Sequence, residues 1–293
     1  MSHDDPQQVA GRKPKWLKIK LHNSQGYAEV ASLVKQHDLH TICSSGRCPN
    51  ISECWSRGTA TFMICGDVCT RSCRFCATKS GKPMPLDRDE PQKIARSIKV
   101  MGLRYAVITS VDRDDLPDGG AGQWVDTIEA IKELNHDVKV EVLIPDFDGR
   151  KELLDLIINS RADVIGHNLE TVEELTDSVR SRAKYTTSLE VLRYISSCGK
   201  EAKSGIMVGL GETPEQVVKT LEDLRSAGVG RATIGQYLQP TSKQLPVVEY
   251  VTPEQFAFYK QKAVELGFTH IESAPLVRSS YMAEYSEGRA KCV

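Results

Sequence analysis

Three thiols stand within the short stretch CTRSCRFC, residues 69–76, and a second triad lies just upstream in CSSGRCPNISEC, residues 43–54. The two triads together hold six of the chain's nine cysteines. An odd count, crowded into one corner, is unlike a disulfide framework that staples a whole secreted fold. Reduced thiols awaiting metal fit better, so the fold must present three thiolates from one loop to one centre.

A chain of 293 residues with 40% hydrophobic side chains is long and apolar enough for one α/β barrel or two ordinary domains. Lys+Arg 38 against Asp+Glu 39 leaves a formal net charge of -1, so no global field draws nucleic acid or an anionic membrane. Neither partner is expected. The first ten residues have no basic n-region or apolar stretch, and no later run reaches the length of a membrane helix. The expectation is a cytoplasmic, soluble protein, a monomer by default.

Beyond Cys76 short β-branched runs alternate with longer amphipathic ones, the pattern of βα units on a parallel sheet. Strands are predicted at 62–68, 105–111, 138–145, 162–170, 201–210 and 231–239. Helices fill the gaps. The first carries Ile94, Ile98 and Met101 on one face and stops at Gly102. The last two each begin with Thr-Pro, an N-cap followed by proline at the first helical position, and finish in glycine. The fold class is therefore α/β, a partial (β/α)6 TIM-like barrel over 62–267. An N-terminal extension, 1–61, carries the first triad and has a mobile start. A C-terminal extension covers 268–293.

Cys69, Cys73 and Cys76 have the spacing C-x3-C-x2-C directly after the first predicted strand. A [4Fe–4S] cube usually takes four cysteines, so three from one loop leave one iron open, and an open metal site in an enzyme is where substrate or cofactor binds. The bland alternative is a zinc knuckle, which favours paired C-x2-4-C units. Cys65, inside the predicted strand, reads as a small buried hydrophobe rather than a fourth ligand. The first triad, Cys43, Cys48 and Cys54, has the spacing C-x4-C-x5-C, and with His40 it stands evenly between a Cys3His zinc site and an iron–sulfur site.

C-x3-C-x2-C after the first barrel strand resembles the signature of radical S-adenosylmethionine enzymes. The resemblance implies that Cys69, Cys73 and Cys76 hold a [4Fe–4S] cluster and that the amino and carboxylate groups of S-adenosylmethionine chelate its fourth iron. It also implies an aromatic residue before the last cysteine, and Phe75 is there. GIMVGLGE, 205–212, resembles that superfamily's adenine-contacting G-x-I-x-G-x-x-E stretch, with Gly205, Met207 in the Ile place, Gly209 and Glu212. Taken alone, it reads as a buried strand entering a glycine-rich turn. Where many relatives have Gly-Gly-Glu to meet the methionyl amine, this chain has Thr109, Ser110 and Val111, which leaves that contact unassigned. At the end of the fourth predicted strand Asn168 or Glu170 is placed to reach a ribose, while His167 suits a core or loop-anchoring role equally well.

The order of the two triads resembles the lipoyl synthases, and so do KPKWLKIKL (13–21), TSVDRDDLPDGGAGQW (109–124), HNLETV (167–172), IGQYLQPT (234–241) and APLVRSSYMA (274–283). In that family the first triad binds an auxiliary [4Fe–4S] cluster whose fourth iron is held by a serine of the RSSY run, here Ser280. A hard alkoxide is a weak partner for thiophilic iron, so that corner is the one expected to come apart. The residues give no role to Cys65, Cys198 or Cys292.

What the resemblance implies chemically answers a real difficulty. Unactivated methylene C–H bonds cannot be deprotonated by histidine or carboxylate, so sulfur insertion there needs a radical. Two molecules of S-adenosylmethionine would supply it, at C6 and then C8 of an octanoyl-lysine, with the auxiliary cluster as sulfur source. The implied substrates are octanoylated lipoyl carrier domains, of a 2-oxoacid dehydrogenase E2 or the glycine cleavage H protein. An electron donor such as flavodoxin or ferredoxin and an iron–sulfur cluster delivery protein are implied as well. Asp112, Asp114 and Asp115 read either as solvated loop residues or as groups that position the entering chain. The competing readings are a biotin synthase or methylthiotransferase type of enzyme, an iron–sulfur electron carrier, and a zinc-stabilised binding module.

Overall fold

The computed structural model describes residues 13–18, 25–36, 39–56, 60–281 and 283. The first twelve residues, Met282 and Cys292 lie outside the described residues. The chain runs α1 (Gln25–Gln36), β1 (His40–Thr41), α2 (Ile42–Ser45), α3 (Ile51–Ser56), β2 (Thr61–Ile64), β3 (Val68–Cys69), β4 (Lys79–Ser80), α4 (Glu90–Val100) and β5 (Tyr105–Ser110). It continues through α5 (Ala121–Leu134), β6 (Lys139–Leu143), α6 (Lys151–Ile158), β7 (Val164–Gly166), α7 (Glu173–Val179), α8 (Tyr185–Ser197), β8 (Glu201–Val208), α9 (Pro214–Ser226), β9 (Arg231–Gln236), α10 (Pro253–Glu265) and β10 (His270–Ser273). Among the described residues no helix is long and apolar enough to cross a membrane.

One sheet has the order β1-β2-β5-β6-β7-β8-β9-β10. From β2 to β10 every neighbouring pair is parallel, and spatial order follows chain order, so each connection is a helical crossover that winds the sheet in one direction. The six predicted strands are β2 and β5 to β9. Two strands not predicted extend the sheet: β1, antiparallel to β2 with His40 opposite Met63, and β10, parallel to β9 with Ser273 opposite Ile234. Helices cover the outer face, as an all-parallel sheet requires. Phe62, Ile64, Ile108, Val142, Ile165 and Ile234 pack with Ile94, Ile98, Trp124, Ile128, Leu154 and Leu221 in one core.

The element ends follow local chemistry. The strand predicted over 62–68 stops at Ile64 because Cys65 and Gly66 take positive φ, 68° and 93°, which breaks the ladder. Cys65 is thus not inside the strand, although it is buried as expected at 2% exposure. Helix α9 has a full capping box between Thr213 and Gln216, and Thr252 caps α10, each with proline at the first turn. At the amino ends of the strands Glu141 accepts from Lys203 (2.6 Å) and from Tyr105 (2.6 Å). This ionic cluster fills the bottom of the barrel. The carboxyl ends remain for the site, as in barrel enzymes generally.

Candidate active site

A cavity of about 490 Å³ opens at the carboxyl ends of the strands. Cys43 and Cys48 of one triad and Cys69, Cys73 and Cys76 of the other line it, with Phe75, Asn168, Glu170, Met207 and Ser280. Cys43 and Ser280, 237 apart in sequence, are therefore brought onto one wall, which no local pattern could announce. Cys54, in α3, lies outside the lining set, as do Gly205, Gly209 and Glu212.

The loop 69–76 is fixed from several sides. Ser72 N–H donates to Ser181 Oγ (3.1 Å), Arg74 N–H to the Val179 carbonyl (2.9 Å), and Gln244 Nε2 to the Cys76 carbonyl (3.1 Å). Its main anchor is Arg71, only 6% exposed. The guanidinium donates to both carboxylate oxygens of Asp114 (3.0 and 2.9 Å) and of Asp146 (3.0 and 2.8 Å), with Asp112 at 3.4 Å. Paired forks of this kind are the strong, directional form of an ion pair. Burial alone would raise the Asp146 carboxyl, yet the bonds and charge of Arg71 hold it at about 2. Asp115 is gripped by Arg113 (2.8 and 2.9 Å). Asp114 and Asp115, left open between two roles by the sequence, are thus ion-paired loop anchors.

The thiols suit metal. Cys69 Sγ accepts N–H donors from Arg71 (3.4 Å) and Asp112 (3.3 Å), the arrangement that stabilises a thiolate. Burial first, and then the Asp112 charge, push its pKa up to about 12, so the bare thiol keeps its proton and a metal must displace it. Burial likewise raises Cys43, Cys48 and Cys76. Among the described residues no three His, Cys, Asp or Glu side chains converge tightly enough for a single ion. Neither zinc arrangement is assembled. A cube takes one thiolate at each iron, and a triad of thiols supplies donors of that kind for three of its four corners.

The first triad is built from small pieces. Thr41 caps α2, the Cys48 N–H donates to the Cys43 carbonyl (3.0 Å), and the Cys54 N–H to the Asn50 carbonyl (2.9 Å). A strap from the carboxyl end, 274–281, lies across it. Asn50 Nδ2 donates to the Leu276 carbonyl (2.7 Å), Thr61 Oγ1 to Ser280 Oγ (2.9 Å) and Tyr281 OH to Glu53 (3.2 Å). The strap runs directly over β9. A Cβ on Gly235 would stand 2.1 Å from the Val277 carbonyl oxygen, so only glycine admits it.

The remaining wall separates scaffold from contact. His167 Nδ1–H donates to the Ile144 carbonyl (2.9 Å), and Nε2 accepts from Ser188 Oγ (2.8 Å). Burial and the Arg180 charge lower its pKa to about 4, so it is a neutral anchor. Glu212 takes the N–H groups of Gly209 and Leu210, and a Cβ on Gly205 would press on Thr233 and Asn168. That stretch shapes the wall, and Met207 alone of its four matched positions faces the cavity. Arg180 donates to the Asn168 carbonyl (3.1 Å) and Ser188 Oγ (3.1 Å), while its buried Nε has no partner among the described residues. Arg71, Arg180 and Gly235 were missed by sequence reasoning. The signal available for the first was an arginine among closely spaced cysteines.

The Radical SAM superfamily profile matches residues 63–224. The chain is 59% identical over 273 residues to a lipoyl synthase of Parabacteroides distasonis, an overlap of 93% of this chain and 97% of that one. It is 61% identical over 274 residues to a lipoyl synthase of Porphyromonas gingivalis, with the same coverage. Among solved structures, Streptococcus suis SuiB bound to S-adenosylmethionine superposes with a TM-score of 0.59 at 12% identity, covering 78% of this chain and 55% of that one. Methylornithine synthase superposes at 0.53 and 12%, covering 88% and 85%. At such identities these two speak for the fold alone.

Proposed function

The chain belongs to the lipoyl synthase family of radical S-adenosylmethionine enzymes, and on that premise we propose how its residues divide the work. The enzyme is a sulfurtransferase that inserts two sulfur atoms, at C6 and C8, into a protein-bound octanoyl-lysine. It uses a [4Fe–4S] cluster and S-adenosylmethionine. In our assignment Cys69, Cys73 and Cys76 hold that cluster, and Cys43, Cys48, Cys54 and Ser280 hold a second one. When bound, these groups supply low-potential electrons, hydrogen-atom abstraction from unactivated methylenes, and the sulfur itself.

The protein's own part is placement. Arg71 and its aspartates keep the 69–76 loop rigid. Asn168 and Glu170, with Phe75 and Met207, form the wall against which we place the nucleoside, and the unpartnered Arg180 Nε–H is an anion donor suited to the methionyl carboxylate. Leu143, Ile144, Val111 and Leu238 line the same cavity, so an acyl chain meets apolar wall and water is excluded. We assign the substrate to octanoylated lipoyl carrier domains of a 2-oxoacid dehydrogenase or the glycine cleavage system. Electrons would come from a flavodoxin or ferredoxin, and the spent cluster would be renewed by a delivery protein, with the enzyme acting as a monomer in the cytoplasm.

The observation that carries this assignment is the shared cavity, with Cys69, Cys73 and Cys76 of one triad, Cys43 and Cys48 of the other, and Ser280 on its wall. The test is an anaerobic single turnover of reconstituted protein with S-adenosylmethionine, strong reductant and an octanoyl-lysyl peptide, read by mass. Gain of two sulfurs is expected. Fresh 5′-deoxyadenosine with an unchanged peptide would sink the substrate assignment.

A further inference from the structure

Arg278 opens the RSSY run and lies on the cavity wall with Cys43 and Cys48. Among the described residues its one hydrogen bond runs from Nη1 to the neighbouring Val277 carbonyl (2.6 Å), and no carboxylate stands within ion-pair distance. Of the four arginines on this wall, Arg47 and Arg180 also lack a carboxylate partner among the described residues but donate to carbonyls of other segments, at Pro240 and Asn168. Arg71 alone of the four grips aspartates. Arg278 is half-buried, so its guanidinium is partly desolvated on the cavity wall with no anion beside it, a charge that an anionic group in the cavity would offset. The fold nevertheless makes room for it, since a Cβ on Gly235 would come within 3.3 Å of Nη1. Its surroundings offer hydroxyls and thiols, and the thiols are the groups that become anionic when iron binds.

On the reading that Cys43, Cys48, Cys54 and Ser280 hold a second cluster, we infer that Arg278 is that centre's counter-charge. It is a positioning residue. By offsetting the negative charge of the thiolate-bound cluster it favours the reduced form, raises the reduction potential, and helps keep the centre under the strap. Arginine rather than lysine suits this wall because the planar guanidinium is more weakly hydrated and stays charged when enclosed.

The test uses the full chain carrying Cys69→Ala, Cys73→Ala and Cys76→Ala, so that any cluster sits at the first triad. Iron and sulfide are counted after anaerobic reconstitution, and the midpoint potential is followed by electron paramagnetic resonance. With Arg278 intact, four irons per chain are expected. Arg278→Gln should shift the midpoint to more negative potential and speed iron loss to a chelator, and Arg278→Lys should restore most of both. An Arg278→Gln protein with four irons and an unmoved midpoint would overturn the counter-charge. Absence of iron in the parent triple variant would instead overturn the second-cluster reading beneath it.

Discussion

The two cysteine centres share a cavity but are built in opposite ways. The 69–76 loop is a local structure locked by one buried arginine into aspartates from the loops after β5 and β6, with further bonds from the 178–181 and 244–245 segments. The 40–56 segment consists of a two-residue edge strand and two short helices, and it is met by hydrogen bonds from a strap more than two hundred residues away. The first design suits a centre that must survive each turnover. The second suits one that must open, because short elements hold it and, on the proposed assignment, its last ligand is an oxygen.

The sharpest way to break this contrast is to remove one thiol from each side. Cys69→Ala should reduce 5′-deoxyadenosine formation to background, whereas Cys43→Ala should leave cleavage intact and yield no lipoyl product by mass. Lipoyl product from Cys43→Ala would end the division of labour. Next in size, Arg71→Met leaves aspartates unneutralised around a buried site and should cost about 3–5 kcal/mol in denaturant unfolding. A loss under about 1 kcal/mol would show that the loop is held by its backbone bonds instead.

Acid should separate the two regions as well. His167 belongs to the barrel wall, and its folded pKa, near 4, lies below the ordinary value of 6.5. The unfolded chain therefore binds the extra proton first. Stability from this group is fully present above 6.5 and is lost as pH falls toward 4, by on the order of 3 kcal/mol. His167→Gln should flatten that slope in a pH series of unfolding curves. Smaller still, Gly235→Ala pushes on the strap and should cost about 1–3 kcal/mol. It should lower iron per chain toward that of one cluster while S-adenosylmethionine cleavage persists.

Much of the barrel was legible because burial repeats along it. Six strands and the Thr-Pro helices carried patterns longer than their own ends. Strand β1 has two residues and β10 reads His-Ile-Glu-Ser, too short and polar to show a period. The clustered thiols were visible as spacing. Their supports were not, since Arg71 and Gly235 act on groups distant in sequence, and a charged or small residue read alone looks solvated or permissive. The glycine-rich stretch at 205–212 matched in sequence, yet most of it stands behind the wall it shapes.

The bond between Thr61 and Ser280 joins residues 219 apart. At about 5–20 residues per second of synthesis, the first triad waits roughly 10–40 s for the serine strap that lies across it to be made. Its thiols spend that interval on a growing chain with no lid, exposed to oxidants and to stray metals. If the triad takes a cluster, its loading thus belongs after translation, and a truncated chain would own a barrel and the 69–76 loop but never the cover over the first triad.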